Sequence, residues 1–193
     1  MNVWLNENPR LLDEFTKSGE VAQFLWSRGW AEANGGNLSI NVTPLIETWP
    51  NEAAYGPRVA VGRAYPGLDG QAFLVSGTGR RFRDFARDIG HNGCILRVED
   101  EGKSYRLIWG GESRPQFRPT SELPTHLTLH EILWGQGLTN SVVLHTHPTE
   151  LVALSHLADY KEEATLNEAL WGTLPEVKVL IPQIGRASCR ERV

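Results

Sequence analysis

The run Ser141-Val142-Val143-Leu144-His145-Thr146-His147-Pro148-Thr149 constrains this chain most. Val142, Val143 and Leu144 favour an extended strand, and Pro148 ends it because it can donate no ladder hydrogen bond. Alternate residues of a strand share a face. Val143, His145 and His147 are therefore expected to point one way, with Leu144 and Thr146 pointing the other. Two imidazoles on one face at a strand end can reach one metal ion, and zinc accepts histidine nitrogen readily. The plain alternative is a strand end whose histidines are only solvated.

The rest of the chain sets the frame for that strand. It has 193 residues, 40% hydrophobic and 22% charged, which suits one globular domain with a sizeable core. The net charge of -4 excludes a basic footprint for nucleic acid. No apolar run approaches a membrane span, and the first residues show no charged segment followed by an apolar one, as a signal peptide would. Cys94 and Cys189 supply no disulfide framework, so a cytoplasmic protein is expected. Most of the seven tryptophans are expected in the core.

Residues 9–28 read as helix, with a break expected at Gly19, a cap from Ser18 and a stop at Gly29. Asn34-Gly35-Gly36-Asn37 follows, by itself an ordinary Gly-Gly turn before a strand or one whose backbone N–H groups form an anion nest, and Leu38, Ile40 and Val42 then alternate as a strand. Residues 43–70 read as a polar excursion with one short strand near Val59-Ala60-Val61. Ala72-Phe73-Leu74-Val75 is a buried strand candidate that runs into Ser76-Gly77-Thr78-Gly79, a second loop suited to an anion. Residues 82–89 read as a short helix or a turn. Residues 93–98 and 104–109 read as a hairpin turned at Asp100-Glu101-Gly102.

Pro119-Thr120-Ser121-Glu122-Leu123-Pro124 opens a helix in which Thr120 or Ser121 serves as the cap. Leu123, Leu127, His130 and Trp134 share one face by spacing, and His126 and His130 are read as structural. Glu122 either answers the helix dipole or points into a phosphate site at the helix start. Thr149 is expected to cap a helix to about Ala158. A further helix spans 161–171, and residues 175–182 read as a strand. Residues 185–193, with three Arg and one Glu, change character and are expected to be a foreign or disordered tail, leaving 1–184 as the domain.

Four segments, Asn34-Gly35-Gly36-Asn37-Leu38, Ser76-Gly77-Thr78-Gly79, Pro119-Thr120-Ser121-Glu122-Leu123-Pro124 and His145-Thr146-His147-Pro148, occur in this order. Together they resemble the class II aldolase/adducin family, from about Leu11 to Pro182. The resemblance implies an α/β fold of three α/β/α layers with a mostly antiparallel central sheet, incomplete at the C-terminus. It implies zinc-dependent cleavage of a ketose 1-phosphate, L-rhamnulose 1-phosphate in the members most alike, to dihydroxyacetone phosphate and L-lactaldehyde. It also implies a homotetramer. By position, His145, His147 and Glu122 become metal ligands, with Glu122 and Glu176 moving protons. Asn34, Gly36, Asn37, Ser76, Thr78, Thr120 and Ser121 surround the phosphate. The family's third zinc histidine has no counterpart here, so a truncated copy, weak or inactive, is expected. Other class II sugar-phosphate aldolases, epimerases or dehydratases, a non-catalytic adducin-like module, and a plain phosphate-binding protein are the competing readings.

Overall fold

The computed structural model describes residues 3–111 and 116–180. The chain falls into two compact units, Met1–His147 and Pro148–Val193. The first contains a six-stranded sheet of β1 (Asn37–Asn41), β2 (Val59–Ala60), β3 (Ala72–Ser76), β4 (Gly93–Glu99), β5 (Ser104–Gly110) and β6 (Val142–His145). Its spatial order is β2-β5-β4-β3-β1-β6, and every pairing is antiparallel.

Period-two alternation sends side chains to both faces of this sheet. One face takes Leu38, Ile40, Leu74, Ile95 and Ile108 into a core with α1 (Val3–Asn6), α2 (Pro9–Ser27) and α3 (Phe82–Arg87). The other takes Phe73, Val75, Cys94, Leu96 and Val98 against Leu123 and Leu127 of α5 (Leu123–Gly135). Three layers result, as expected. A short α4 (Ile89–Asn92) leads into β4. Burial holds the Cys94 thiol well above its ordinary range, so it behaves as a small core residue.

α2 runs unbroken through Gly19, where a break is expected from sequence. Leu11, Phe15, Ser18, Gly19, Ala22 and Leu25 form one buried stripe rather than two patches. A Cβ on Gly19 would sit 3.4 Å from the Ala86 carbonyl oxygen, so this glycine serves close packing against α3. Ser18 bonds back to the Glu14 carbonyl at 2.7 Å instead of capping a second helix. Gly29 does end the helix, in a Schellman arrangement with Gly29 N–H on the Trp26 carbonyl and Trp30 N–H on the Leu25 carbonyl. The hairpin of β4 and β5 turns at Asp100, Glu101 and Gly102, all at positive φ.

Other expectations give way to packing. Among the described tryptophans only Trp4 is buried, while Trp49 and Trp134 are exposed; the core selects Leu, Ile, Val and Phe, which carry no polar atom to satisfy. In the second unit, α6 (Thr149–His156) has Pro148 at its cap position, with Thr149 already helical, and α7 (Glu163–Thr173) follows. Residues Pro175–Leu180 form a helix, α8, not a strand. Val177 and Val179 favour extension, but local propensity is a weak preference that the start of this segment overrides. Pro175 and Glu176 suit a helix start. The tail 185–193, with Cys189, lies outside the described residues. No helix among the described residues is long and apolar enough to cross a membrane.

The α5 face of β1 is polar. Ser39 Oγ lies 2.6 Å from His126 Nδ1 and 2.8 Å from His130 Nε2. His126 Nε2 meets Asn37 Oδ1, and His130 Nδ1 meets Ser141 Oγ at 2.6 Å. Burial pushes both imidazoles down to about 4; the titratable groups facing them are Glu122 and His145 for His126, and His126 for His130. Between pH 6.5 and 4 the unfolded chain therefore binds protons that the folded chain refuses, and stability falls as pH falls. Urea unfolding is expected to show about 3 kcal/mol less stability at pH 5 than at pH 7. A flat profile would contradict burial of these rings as neutral groups. Gly102→Ala is a second check. Its Cβ would fall 2.2 Å from the Tyr65 backbone at φ +80. A loss of at least about 2 kcal/mol is expected in the same assay.

Candidate active site

The register of β6 on β1 sets the site. Asn37 stands opposite His145, and Ser39 opposite Val143, so His145 emerges beside the Asn-Gly-Gly-Asn turn. β6 ends at His145, so His147 lies beyond the regular alternation. Its backbone N–H instead bonds the Trp30 carbonyl at 2.7 Å, which ties the exit of α2 to this strand end. The rings still converge, with Nε2 of His147 3.2 Å from Nε2 of His145. Gly36 sits at φ +79, which favours glycine, and a Cβ on Gly35 would lie 3.0 Å from His147 Nδ1, so the turn passes close against the ring.

A second stitch delivers the other loops. Gly77 bridges Pro119, Thr78 N–H bonds the Arg118 carbonyl at 3.0 Å, and Thr120 N–H bonds the Ser76 carbonyl at 2.8 Å. A cavity of about 380 Å³ results, lined by Glu32, Asn34, Gly35, Gly36, Asn37, Thr78, Thr120, Ser121, Glu122, His145 and His147, with Gly77 and Gly79. Nine of the expected site residues thus meet at one cavity. Ser76 does not line it: its buried hydroxyl accepts the Leu38 N–H at 3.0 Å, bracing β3 against β1. Glu176 lies in the second unit, exposed in the first turn of α8.

Glu122, rather than Thr120 or Ser121, occupies the cap position of α5 and makes no side-chain cap bond. Thr120 Oγ1 accepts the Glu122 N–H at 3.3 Å. The Glu122 carboxylate is therefore left for His145, with Oε2 2.8 Å from Nδ1. Glu32, which no motif singled out, does the same for His147, with Oε1 3.0 Å from Nδ1. That contact holds the Glu32 carboxyl below its ordinary range. Only the fold brings Glu32 to a ring 115 positions away, and no local spacing signals it.

Each ring thus sets its Nδ1 against a carboxylate and its Nε2 toward the other ring; in the tautomer with the proton on Nδ1, two Nε2 lone pairs face each other. Two lone pairs 3.2 Å apart repel unless a cation or proton sits between them. Two nitrogens on one tetrahedral zinc at about 2.0–2.1 Å are separated by about 3.3–3.4 Å, so the pair fits as two of a metal's ligands. Glu122 lies beside Nδ1 of His145 rather than in the gap between the rings. Among the described residues no group of three or more His, Cys, Asp or Glu side chains is spaced to enclose a metal ion. The cavity lining holds two carboxylates and, among the described residues, no Lys or Arg. An anionic ligand there depends on N–H and hydroxyl donors and on a cation. A larger cavity of about 630 Å³, walled by Trp4, Trp49, Trp109 and Phe117, has one carboxylate, Glu7, and no histidine; the converging chemistry belongs to the smaller one.

The Class II Aldolase and Adducin N-terminal domain model matches residues 19–186, and this chain belongs to that family. It is 36% identical over 184 residues to the rhamnulose-1-phosphate aldolase of Bacteroides thetaiotaomicron, covering 95% of this chain and 67% of that protein. It is 37% identical over 164 residues to the Listeria welshimeri protein of the same name, covering 84% of this chain and 58% of that one. Among solved structures it is similar to a sugar-phosphate aldolase from Thermotoga maritima, with a TM-score of 0.70 at 28% identity over 90% of this chain and 68% of the other.

Removing the carboxylate behind His147 is expected to weaken divalent-cation binding while leaving the fold intact, because that pair is exposed. Glu32→Ala should lower zinc affinity about 10–100-fold in equilibrium dialysis. Unchanged affinity would mean that the His147 tautomer is set by something else.

Proposed function

We propose that this chain carries the phosphate cavity and part of the metal centre of a zinc-dependent aldolase. In this reading it cleaves L-rhamnulose 1-phosphate to dihydroxyacetone phosphate and L-lactaldehyde. The observation that carries the reading is the facing pair of Nε2 atoms, each ring backed by a carboxylate, at the mouth of a glycine-rich cavity. The names of the relatives support the choice of sugar.

His145 and His147 would hold the zinc, which when bound supplies a Lewis acid for the charge of the enediolate. The turn at Gly35 and Gly36, the Thr78 loop, and the hydroxyls of Thr120 and Ser121 would hold the phosphate by N–H and O–H donation. That anchoring sets the reacting carbons against Glu122. Cleavage breaks the C3–C4 bond as the C4 hydroxyl gives up its proton, and the enediolate is then protonated at C3. Glu122 is the carboxylate placed to carry such a proton, and also the group from which a metal contact is expected. Glu176 is proposed, from the family position alone, to assist proton transfer. A cytoplasmic homotetramer is the setting this reading carries.

The test is a panel of ketose phosphates given to the zinc-loaded chain, with release of dihydroxyacetone phosphate as readout. L-Rhamnulose 1-phosphate should give the highest kcat/KM, and Glu122→Gln should lower kcat by about 10²–10⁴-fold. Preference for another ketose phosphate would move the assignment within the family. A chain that binds neither zinc nor phosphate would favour the non-catalytic module.

A further inference from the structure

The buried polar chain beneath the cavity does more than fill space. It runs from Asn37 Oδ1 through His126, Ser39 and His130 to Ser141 Oγ without a gap. His126, His130 and Ser39 are each 1% exposed, so every polar atom in the chain must find its partner within it. Both rings are buried and their nitrogens meet only hydroxyl and amide groups, with no carboxylate to pair a charge, so the neutral form is the one this pocket accommodates. A neutral imidazole has one donor and one acceptor nitrogen. The chain therefore has two self-consistent proton orders, and they differ in what Asn37 offers the cavity. With protons on Nε2 of both rings, His126 donates to Asn37 Oδ1 and the amide NH2 faces outward. With protons on Nδ1, Asn37 must turn its NH2 inward and present its oxygen.

The surroundings choose between them. Asn37 Nδ2 lies 3.4 Å from His145 Nδ1, which as a donor to Glu122 at 2.8 Å offers the amide no lone pair, so an outward NH2 is left for a ligand in the cavity. An outward amide oxygen would add a third acceptor to a lining that already holds the carboxylates of Glu32 and Glu122. An outward NH2 instead adds a donor where an anion is to bind. We propose that His126 is a positioning residue: through the ordered chain His126–Ser39–His130–Ser141 it locks the Asn37 amide with its NH2 directed into the cavity, as a donor to a bound phosphoryl group. The part of this inference that concerns phosphate rests on the reading given under Proposed function; the direction of the amide does not.

The experiment has two arms on the full chain. A long-range ¹H–¹⁵N spectrum reads the tautomers directly: Nε2–H on both His126 and His130 is expected, and Nδ1–H on both overturns the proposal. The second arm titrates inorganic phosphate into the wild type, His126→Leu and His126→Gln. Loss of the lock should weaken binding about tenfold in His126→Leu. In His126→Gln the side-chain NH2 can donate to Asn37 and its oxygen can accept from Ser39, so affinity should stay within about twofold. Wild-type affinity in a folded His126→Leu overturns the positioning role. If that variant does not fold, the tautomer spectrum and His126→Gln decide, with a tenfold loss in the glutamine variant counting against the proposal. A wild type that binds no phosphate would sink the proposed function, while the spectrum would still decide the direction of the amide.

Discussion

The antiparallel register of β6 on β1 is the constraint from which the rest of the site follows. It places His145 opposite Asn37, at the point where the glycine turn enters the sheet. A slip of one residue would carry His145 to the other face, among Leu38 and Ile40, and would put Leu144 at the cavity. Two features oppose such a slip. Asn41 N–H bonds the Ser141 carbonyl at one end of the pairing, and His147 N–H bonds the Trp30 carbonyl just past the other.

β1 itself is divided between two kinds of chemistry. Leu38 and Ile40 join the apolar layer of α1 to α3, whereas Asn37 and Ser39 meet the histidines of α5. A buried polar layer costs stability unless each group is paired. Here each member has a partner, and the direction of pairing sets the polarity of the side chain at the cavity wall. The apolar face anchors the strand, and the polar face orients what the strand presents.

The electrostatics follow one rule on both imidazoles. A carboxylate faces Nδ1, Glu122 for His145 and Glu32 for His147, and the Nε2 atoms are left to converge. Two carboxylates beside an anion cavity would repel a phosphate if nothing offset them. A cation between the rings, as proposed for this family member, would resolve that conflict by meeting both Nε2 atoms and a negatively charged ligand. Membership of the class II aldolase and adducin family is consistent with this charge arrangement.

Sequence by itself determined what local periodicity and turn chemistry can encode. The alternation of Leu38 and Ile40, the buried run of β3 and the Asp100-Glu101-Gly102 turn were all legible, whereas the loops that line the cavity were gathered into one set only by the family resemblance. Tertiary structure decided whatever depends on a partner distant in the chain. Gly19 stays helical and packs against Ala86, and the stretch from Pro175 to Leu180 is helical although Val177 and Val179 favour extension. The Ser76 hydroxyl turns to the backbone of β1, and Glu32 reaches His147 across 115 positions. Periodicity names the face of an element, but only packing supplies what that face meets.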